Sequence, residues 1–238
     1  MTKIKKVLMV FAVICLVSCA QVSITGSGNI VSQQEMITGF DKLDISSSFD
    51  VEITRGDSFQ VVIRVDDNLL EHIQVNKQGS TLKIGLEPMR AYNISNATME
   101  ADITMPDLTA LDLSGSSTAV VSGFETNNSL TFDLSGNSEL RGEIKGGQAN
   151  FDVSGNSRIL LAGSAANLRI SASGNSEVDL SDFPGTDGRV DASGSSTVIV
   201  NLSGRMDADA SGGSDIFYLG NPQLGSIDTS GSSNIQPK

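Results

Sequence analysis

Apolar and polar residues alternate along this chain on either side of a recurring Ser-Gly corner. The tetrad Ser-Gly-x-Ser begins at Ser114, Ser135, Ser154, Ser173, Ser193, Ser211 and Ser230, at spacings of 21, 19, 19, 20, 18 and 19 residues. One position before it stand Leu113, Leu134, Val153, Ala172, Ala192, Ala210 and Thr229, and three before stand Leu111, Phe132, Phe151, Ile170, Val190, Ala208 and Ile227. Five positions after its first Ser stand Ala119, Leu140, Ile159, Val178, Val198, Ile216 and Ile235, so every residue in these columns except Thr229 is apolar. Polar columns run between them. Asp112, Asp133, Asp152, Ser171, Asp191, Asp209 and Asp228 lie two before the tetrad; Thr118, Glu139, Arg158, Glu177, Thr197, Asp215 and Asn234 lie four after its first Ser. A period of two on both sides of a glycine turn predicts strand, turn, strand, with one face buried. Glycine supplies the backbone freedom of the corner.

The same columns reach back toward the start of the chain. "LDISSSFDVEI" (43–53) aligns with "LDLSGSSTAVV" (111–121), Ser47 replacing the glycine, and "VSITGSGNI" (22–30) aligns again with Thr25 in the first Ser position. Between them the β pattern is less regular: "FQVVIRV", then "IQVNKQGSTLKIGL" with a turn at Gln78 and Gly79, then "ATMEADITMP". "DDNLLEHI" (66–73) predicts one short helical turn capped by Asp66 or Asp67. No linker interrupts the run. The expected organisation is a leader over 1–18 and a single domain over 19–238, with less regular β coils over 22–108 and regular Ser-Gly-x-Ser coils over 109–238.

A coil of this length cannot bury its apolar stripe alone, whereas stacked coils bury it against one another. Two rivals fail. A leucine-rich repeat would place its next leucine where this chain has Glu139, Arg158 and Glu177, and an antiparallel meander has no reason to hold repeat length and every column constant. The expected fold is all-β: a parallel β-solenoid with coils of about 19–20 residues.

The first residues change the picture of location. Lys3, Lys5 and Lys6 precede "VLMVFAVICLV", an apolar run too short for a membrane span, and "LVSC" ends at Cys19. This resembles the bacterial lipoprotein signal, which implies diacylglycerol on Cys19 and a mature chain that starts there. Cys15 leaves with the leader, so no internal disulfide is expected. Removing Lys3, Lys5 and Lys6 from 16 Lys and Arg leaves 13 against 28 Asp and Glu, a formal charge of −15. Such a surface repels nucleic acid and anionic headgroups, leaving the lipid on Cys19 as the attachment to the membrane. Ala20 stands where retained inner-membrane lipoproteins carry Asp, so an outer-membrane lipoprotein is expected, facing either the periplasm or the medium.

"GSGNIV" (26–31), "FDKLDISSSFDVEI" (40–53), "VDDNLL" (65–70) and the run of Ser-Gly-x-Ser coils together resemble the putative auto-transporter adhesin family with a head GIN domain, found in lipoproteins of Bacteroidota. The similarity covers about residues 26–235. It implies a right-handed β-solenoid on the cell envelope and brings no catalytic residues with it.

Candidate chemistry is sparse. The sole histidine, His72, has no second His and no retained Cys to join, which argues against zinc sites and Ser-His-Asp triads. "GSG" and "SGNS" lack the Lys-Ser/Thr and following helix of a phosphate loop. No cofactor, metal or enzymatic activity is expected. The candidate ligand-binding residues are Asp112, Asp133, Asp152, Asp191, Asp209 and Asp228. Stacked at about 4.8 Å, neighbouring carboxylates repel by roughly 0.9 kcal/mol even in water, so hydrogen bonds from turn amides and Ser hydroxyls, or calcium shared between rungs, would have to offset that. The chain lacks the Gly-Gly-x-Gly-x-Asp signature of calcium-binding β-rolls. Val120, Leu160, Ile199 and Phe217 share one outward offset and suggest an apolar stripe for a partner, or a second packed edge. The leading expectation is a non-enzymatic anchored solenoid that binds a glycan or protein. The alternatives are a structural or self-associating envelope rod (a homo-oligomer) and, third, a polysaccharide hydrolase or lyase.

Overall fold

The computed structural model describes residues 21–87 and 91–238; the leader and Cys19 lie outside the described residues. The fold is a β-solenoid, 66% strand and 3% helix. One face of the stack runs, in spatial order, through Thr81–Leu86, Lys42–Ile45, Ala110–Leu113, Ser129–Leu134, Gln148–Val153, the second halves of Arg158–Ala172 and Glu177–Ala192, Arg205–Ala210 and Gln223–Thr229, every neighbour parallel. A second face runs through Met99–Met105, Asp50–Arg55, Thr118–Glu125, Glu139–Lys145, the first halves of Arg158–Ala172 and Glu177–Ala192, Thr197–Leu202, Asp215–Gly220 and Asn234–Pro237, again parallel. The columns are the register. Leu113 pairs with Leu134, Leu134 with Val153 and Val153 with Ala172, and Leu43 lies beside Leu111 as the early copy predicts.

The interior is those columns. Phe132 and Phe151 stack with centroids 5.3 Å apart, and Phe183 meets Phe151 edge-on at 6.0 Å. Leu140, Ile159, Val178, Val198 and Ile216 are fully buried on the facing side. Each such side chain contributes about 1.5–3 kcal/mol of burial.

The corners are built by both serines and the glycine. The fourth residue of each tetrad from Ser117 to Ser214 is buried. In Ser117, Ser138, Ser196 and Ser214 the hydroxyl turns back onto the first Ser of its own tetrad, as Ser138 Oγ does to the Ser135 carbonyl at 2.9 Å. Ser176, Ser196 and Ser214 also reach the neighbouring rung: Ser214 Oγ lies 3.1 Å from the Ala192 carbonyl and 2.9 Å from that of Ser211. The glycine stacks on the glycine of the previous coil, whose carbonyl accepts the next amide, as from Asn175 N–H to Gly155 at 2.7 Å. Asn156 donates to Asn137 at 3.0 Å, one rung to the next.

The N-terminal end departs from the repeat. The coil over 42–55 is not at the end of the stack: strands 81–86 and 99–105, later in the chain, lie outside it. Antiparallel strands then close that end, Ile73–Gln78 on Thr81–Leu86, and Gln60–Asp66 on Met99–Met105 with Ile30–Glu35 beyond it. Residues 22–30 are therefore not a rung. Gln21–Thr25 pairs with Ala91–Ser95 in a separate two-stranded sheet, and the loop after it is gripped by acids instead of by a neighbouring turn. Buried Asp66 accepts from Gly28 N–H at 2.6 Å and Thr98 N–H at 2.7 Å; Asp67 accepts from Ser27 Oγ at 2.6 Å and Asn29 Nδ2 at 2.7 Å. A 3-10 helix does form over Asp67–His72, but the Asp66 side chain does not cap it, because both its oxygens are engaged in this clasp.

Candidate binding face

Each Asp of the first face stands outward between two inward apolar columns. Strand register joins Lys83, Asp44, Asp112, Asp133 and Asp152 in consecutive rungs, then Ser171, then Asp191, Asp209 and Asp228. The column is thus one acidic line, broken once. Its ends and its middle differ.

Lys83 Nζ sits 2.6 Å from Asp44 and terminates the line. That pairing raises the Lys83 pKa, chiefly through its hydrogen bond to Asp44. Beyond Asp44 compensation stops. Among the described residues, Asp112, Asp133 and Asp152 form no ion pair and accept no hydrogen bond, so the expected turn amides and Ser hydroxyls do not serve them. Partial desolvation is the main cause raising the Asp112 carboxyl above its ordinary value, followed by the charges of Asp44 and Asp133, with Lys83 opposing. Desolvation and then Asp152 raise Asp133 likewise. On the far side of Ser171 the line is better satisfied: Asp191 takes the Arg189 guanidinium at 2.8 Å and Asp228 accepts from Ser226 Oγ at 2.9 Å.

An open depression of about 430 Å³ follows the uncompensated part, lined by Lys42, Asp44, Lys83, Asp112 and Asp133 among others. Among the described residues, no group of three or more His, Cys, Asp or Glu is placed to hold a metal ion. The arrangement offers a linear series of hydrogen-bond acceptors at one spacing. Hydrolysis of a glycosidic bond instead needs two carboxylates of unequal environment facing across a substrate, whereas these side chains stand side by side.

The second face alters one expectation. Val120, Leu160, Ile199 and Phe217 do share a column, but Arg141 lies between Val120 and Leu160 and Asp179 between Leu160 and Ile199. No continuous apolar stripe results. Nor is it a packed edge, since Val120 and Leu160 are 44% and 45% exposed. Sequence spacing carried the signal: each of these residues lies six after the first Ser of its tetrad, and so do Arg141 and Asp179. The column alongside is ionic, with Arg158 on Glu177 of the next rung at 2.7 Å.

His72 lies on the closed end, its ring centroid 5.6 Å from that of Tyr92 and its Nε2 3.8 Å from exposed Glu71, away from both faces. Arg64 is the feature the sequence pattern missed there, bridging Glu100 and Asp102 across the antiparallel pair. No helix among the described residues is long and apolar enough to cross a membrane.

A family model described as "Putative auto-transporter adhesin, head GIN domain" matches residues 39–222. A putative adhesin from Bacteroides fragilis superposes with a TM-score of 0.84 at 19% identity, over 90% of this chain and 100% of its own. A putative lipid binding protein from Parabacteroides distasonis gives 0.73 at 21% identity, over 91% of this chain and 99% of its own. A putative adhesin from Parabacteroides merdae gives 0.69 at 16% identity, over 91% and 99%. These likenesses carry the fold. No curated protein matches the chain.

Proposed function

This chain belongs to the putative auto-transporter adhesin family with a head GIN domain, and from that membership we propose that it is a non-enzymatic envelope protein whose solenoid faces bind an extended glycan or protein partner. The observation that carries this reading is the acidic line from Asp44 through Asp152, where four carboxylates in consecutive rungs stand outward and all but the first lack a counter-charge. A solenoid has no need of that repulsion for its own stability. A partner that supplies donors at the same repeat relieves it, and many weak contacts along a rigid rod add to useful avidity. Asp112, Asp133 and Asp152 form the principal contact, with Asp191, Asp209 and Asp228 extending it past Ser171.

The lipid reading belongs with this proposal. Cys19 carries the acyl chains, the leader over 1–18 is removed, and the rod is displayed from the outer membrane. With only Ala20 between Cys19 and the first strand, Gln21–Thr25, the lipid holds the closed, N-terminal end of the stack next to the bilayer and directs the coils away from it.

Binding of fluorescent protein to a glycan array and to envelope extracts tests recognition. Expected is saturable binding that falls when Asp112, Asp133 and Asp152 are changed together to Asn, with the melting temperature held or raised; binding indifferent to the triple change removes the acidic line from the proposal. Protease treatment of intact cells tests display, and resistance of the rod to shaving excludes adhesion to anything outside the cell.

A further inference from the structure

Arg169 and Arg189 occupy the same strand setting on the first face, with Asp207 in that column on the next rung and Arg205 two positions earlier on the same strand, and Arg169 lacks the partner that the other two arginines have. Arg189 forks onto Asp191 two residues on, at 2.8 and 3.1 Å. Arg205 forks onto Asp207 two residues on, at 2.6 and 3.1 Å. Arg169 has Ser171 at the corresponding position, the single break in the acidic column. Its guanidinium is exposed and, among the described residues, makes no ion pair or hydrogen bond.

Arg169 also lines an open groove of about 380 Å³ with Gln148, Asn167, Asp187, Arg189, Arg205 and Asp207. The other charges there are committed. Asp187 accepts the Arg205 backbone N–H at 2.6 Å, Asp207 accepts the Ser226 N–H at 2.7 Å as well as Arg205, and Arg189 is held by Asp191. Strand pairing sets Arg169 directly beside Arg189. In a chain with 28 acidic and 16 basic residues, this is a place where an unspent cation faces outward.

We propose that this groove is a subsite for a carboxylate-bearing sugar within a glycan, Arg169 taking the carboxylate through its free fork while the amides of Gln148 and Asn167 meet ring hydroxyls. A planar guanidinium matches a carboxylate bidentately, and a groove of this size takes one or two sugar rings. Leu168 adds apolar surface for the C–H face of a sugar ring beside the amide and guanidinium groups that meet its hydroxyls and carboxylate. The proposal rests on the recognition reading above and names its ligand class.

The test compares polygalacturonate with its fully methyl-esterified form, which keeps the backbone and caps the carboxylates, and with polyglutamate. Titration calorimetry is run on the protein, on Arg169→Gln and on Ser171→Asp. The last supplies the carboxylate that the neighbouring rungs carry at this position, so it fills the fork without disturbing the coil. Expected is binding of polygalacturonate that weakens at least about tenfold on esterification and in both variants, with unchanged melting temperature. Equal binding of the esterified polymer, or wild-type affinity in Ser171→Asp, overturns the subsite. Polyglutamate bound as tightly as polygalacturonate overturns the sugar assignment. A neutral glycan bound equally by all three proteins, with polygalacturonate unbound, also overturns it while leaving the broader recognition reading in place.

Discussion

Gly174 rests on Gly155: a Cβ built at Gly174 would stand 2.7 Å from the Gly155 carbonyl oxygen, and its φ of +77° already lies in the left-handed region. Two independent demands therefore converge on one residue. The same contact recurs at Gly194 over Gly174 and at Gly212 over Gly194, which is why the tetrad tolerates change at its third position and not at its second.

Gly174→Ala is accordingly expected to destabilise the protein by about 2–4 kcal/mol, the left-handed cost for an L-residue plus displacement of the neighbouring turn. Ser47 provides the control. It holds φ +69° at the position of Gly115, but its coil lies beneath the first Ser-Gly turn and no glycine corner stacks on its other side. Ser47→Gly relieves that backbone and loses the hydrogen bond from Leu86 N–H to Ser47 Oγ, so its net effect should stay within about 1 kcal/mol. Denaturant unfolding of the two variants measures the contrast.

Ser196 and Ser195 are adjacent and alike in composition, yet only Ser196 is buried, with its hydroxyl 2.9 Å from the Ser193 carbonyl and 3.3 Å from that of Ala172. Ser196→Ala should cost about 1–2 kcal/mol, because carbonyls closed off from water lose their donor. Ser195→Ala, at an exposed corner, should fall within about 0.5 kcal/mol of wild type. Equal effects at both positions would mean that the corner, not the inward hydroxyl, is what the repeated serine preserves.

The rungs were legible because each repeats one pattern of burial against identical neighbours, so Leu113, Leu134 and Val153 declare their column by spacing alone. The closed end was not. Gln60–Asp66 and Ile73–Gln78 pair once each with strands unlike themselves, and nothing in a period-two pattern tells a parallel neighbour from an antiparallel one. For the same reason the insertion of the 42–55 coil between strands 81–105 and 110–125 has no local signature. The acidic column was readable as a line, but its inequality was not, since that depends on Lys83 arriving from a hairpin at one end and on Arg189 reaching back along its own strand at the other. Arg169 could have been found: four residues before the tetrad, Arg-x-Asp at 189 against Arg-x-Ser at 169 is visible in the sequence.

Acid should act on the clasp of the closed end and on the acidic line of the first face in opposite directions. Asp66 is held below its ordinary value mainly by the backbone amides of Thr98 and Gly28, and Asp67 mainly by Ser27 and Asn29. Their contribution is complete above the unfolded carboxylate value of about 3.9 and is lost as pH falls through their lowered folded values. Asp112 and Asp133 are raised, so their ionised forms oppose folding at neutral pH, and that opposition fades as pH falls through their raised folded values toward about 3.9. Stability should therefore rise slightly on mild acidification and then fall below pH 3.9. Melting curves across pH check this, with Asp133→Asn expected to flatten the rise and Asp66→Asn to lower stability at neutral pH and flatten the acid fall.

The far end of the stack carries devices against growth. Gln223–Thr229 bulges where it meets Arg205–Ala210: Asp207 takes the Ser226 N–H at 2.7 Å, and the pairing shifts between Met206 with Leu224 and Ala208 with Ile227. On the second face, Pro237 stands in Asn234–Pro237 and cannot donate to a further strand. Leu224 is 47% exposed over this edge, so apolar surface for association is present, while the regular backbone ladder needed to use it is not. A bulge and a proline on outer strands are the usual means of preventing edge-to-edge pairing. Residues 22–238 should then sediment as a monomer, and deleting Ser226 while changing Pro237→Val should produce concentration-dependent association without loss of the inner coils. Association of the unaltered protein at the same concentrations would instead favour a self-assembling rod and would show that the bulge does not blunt this edge.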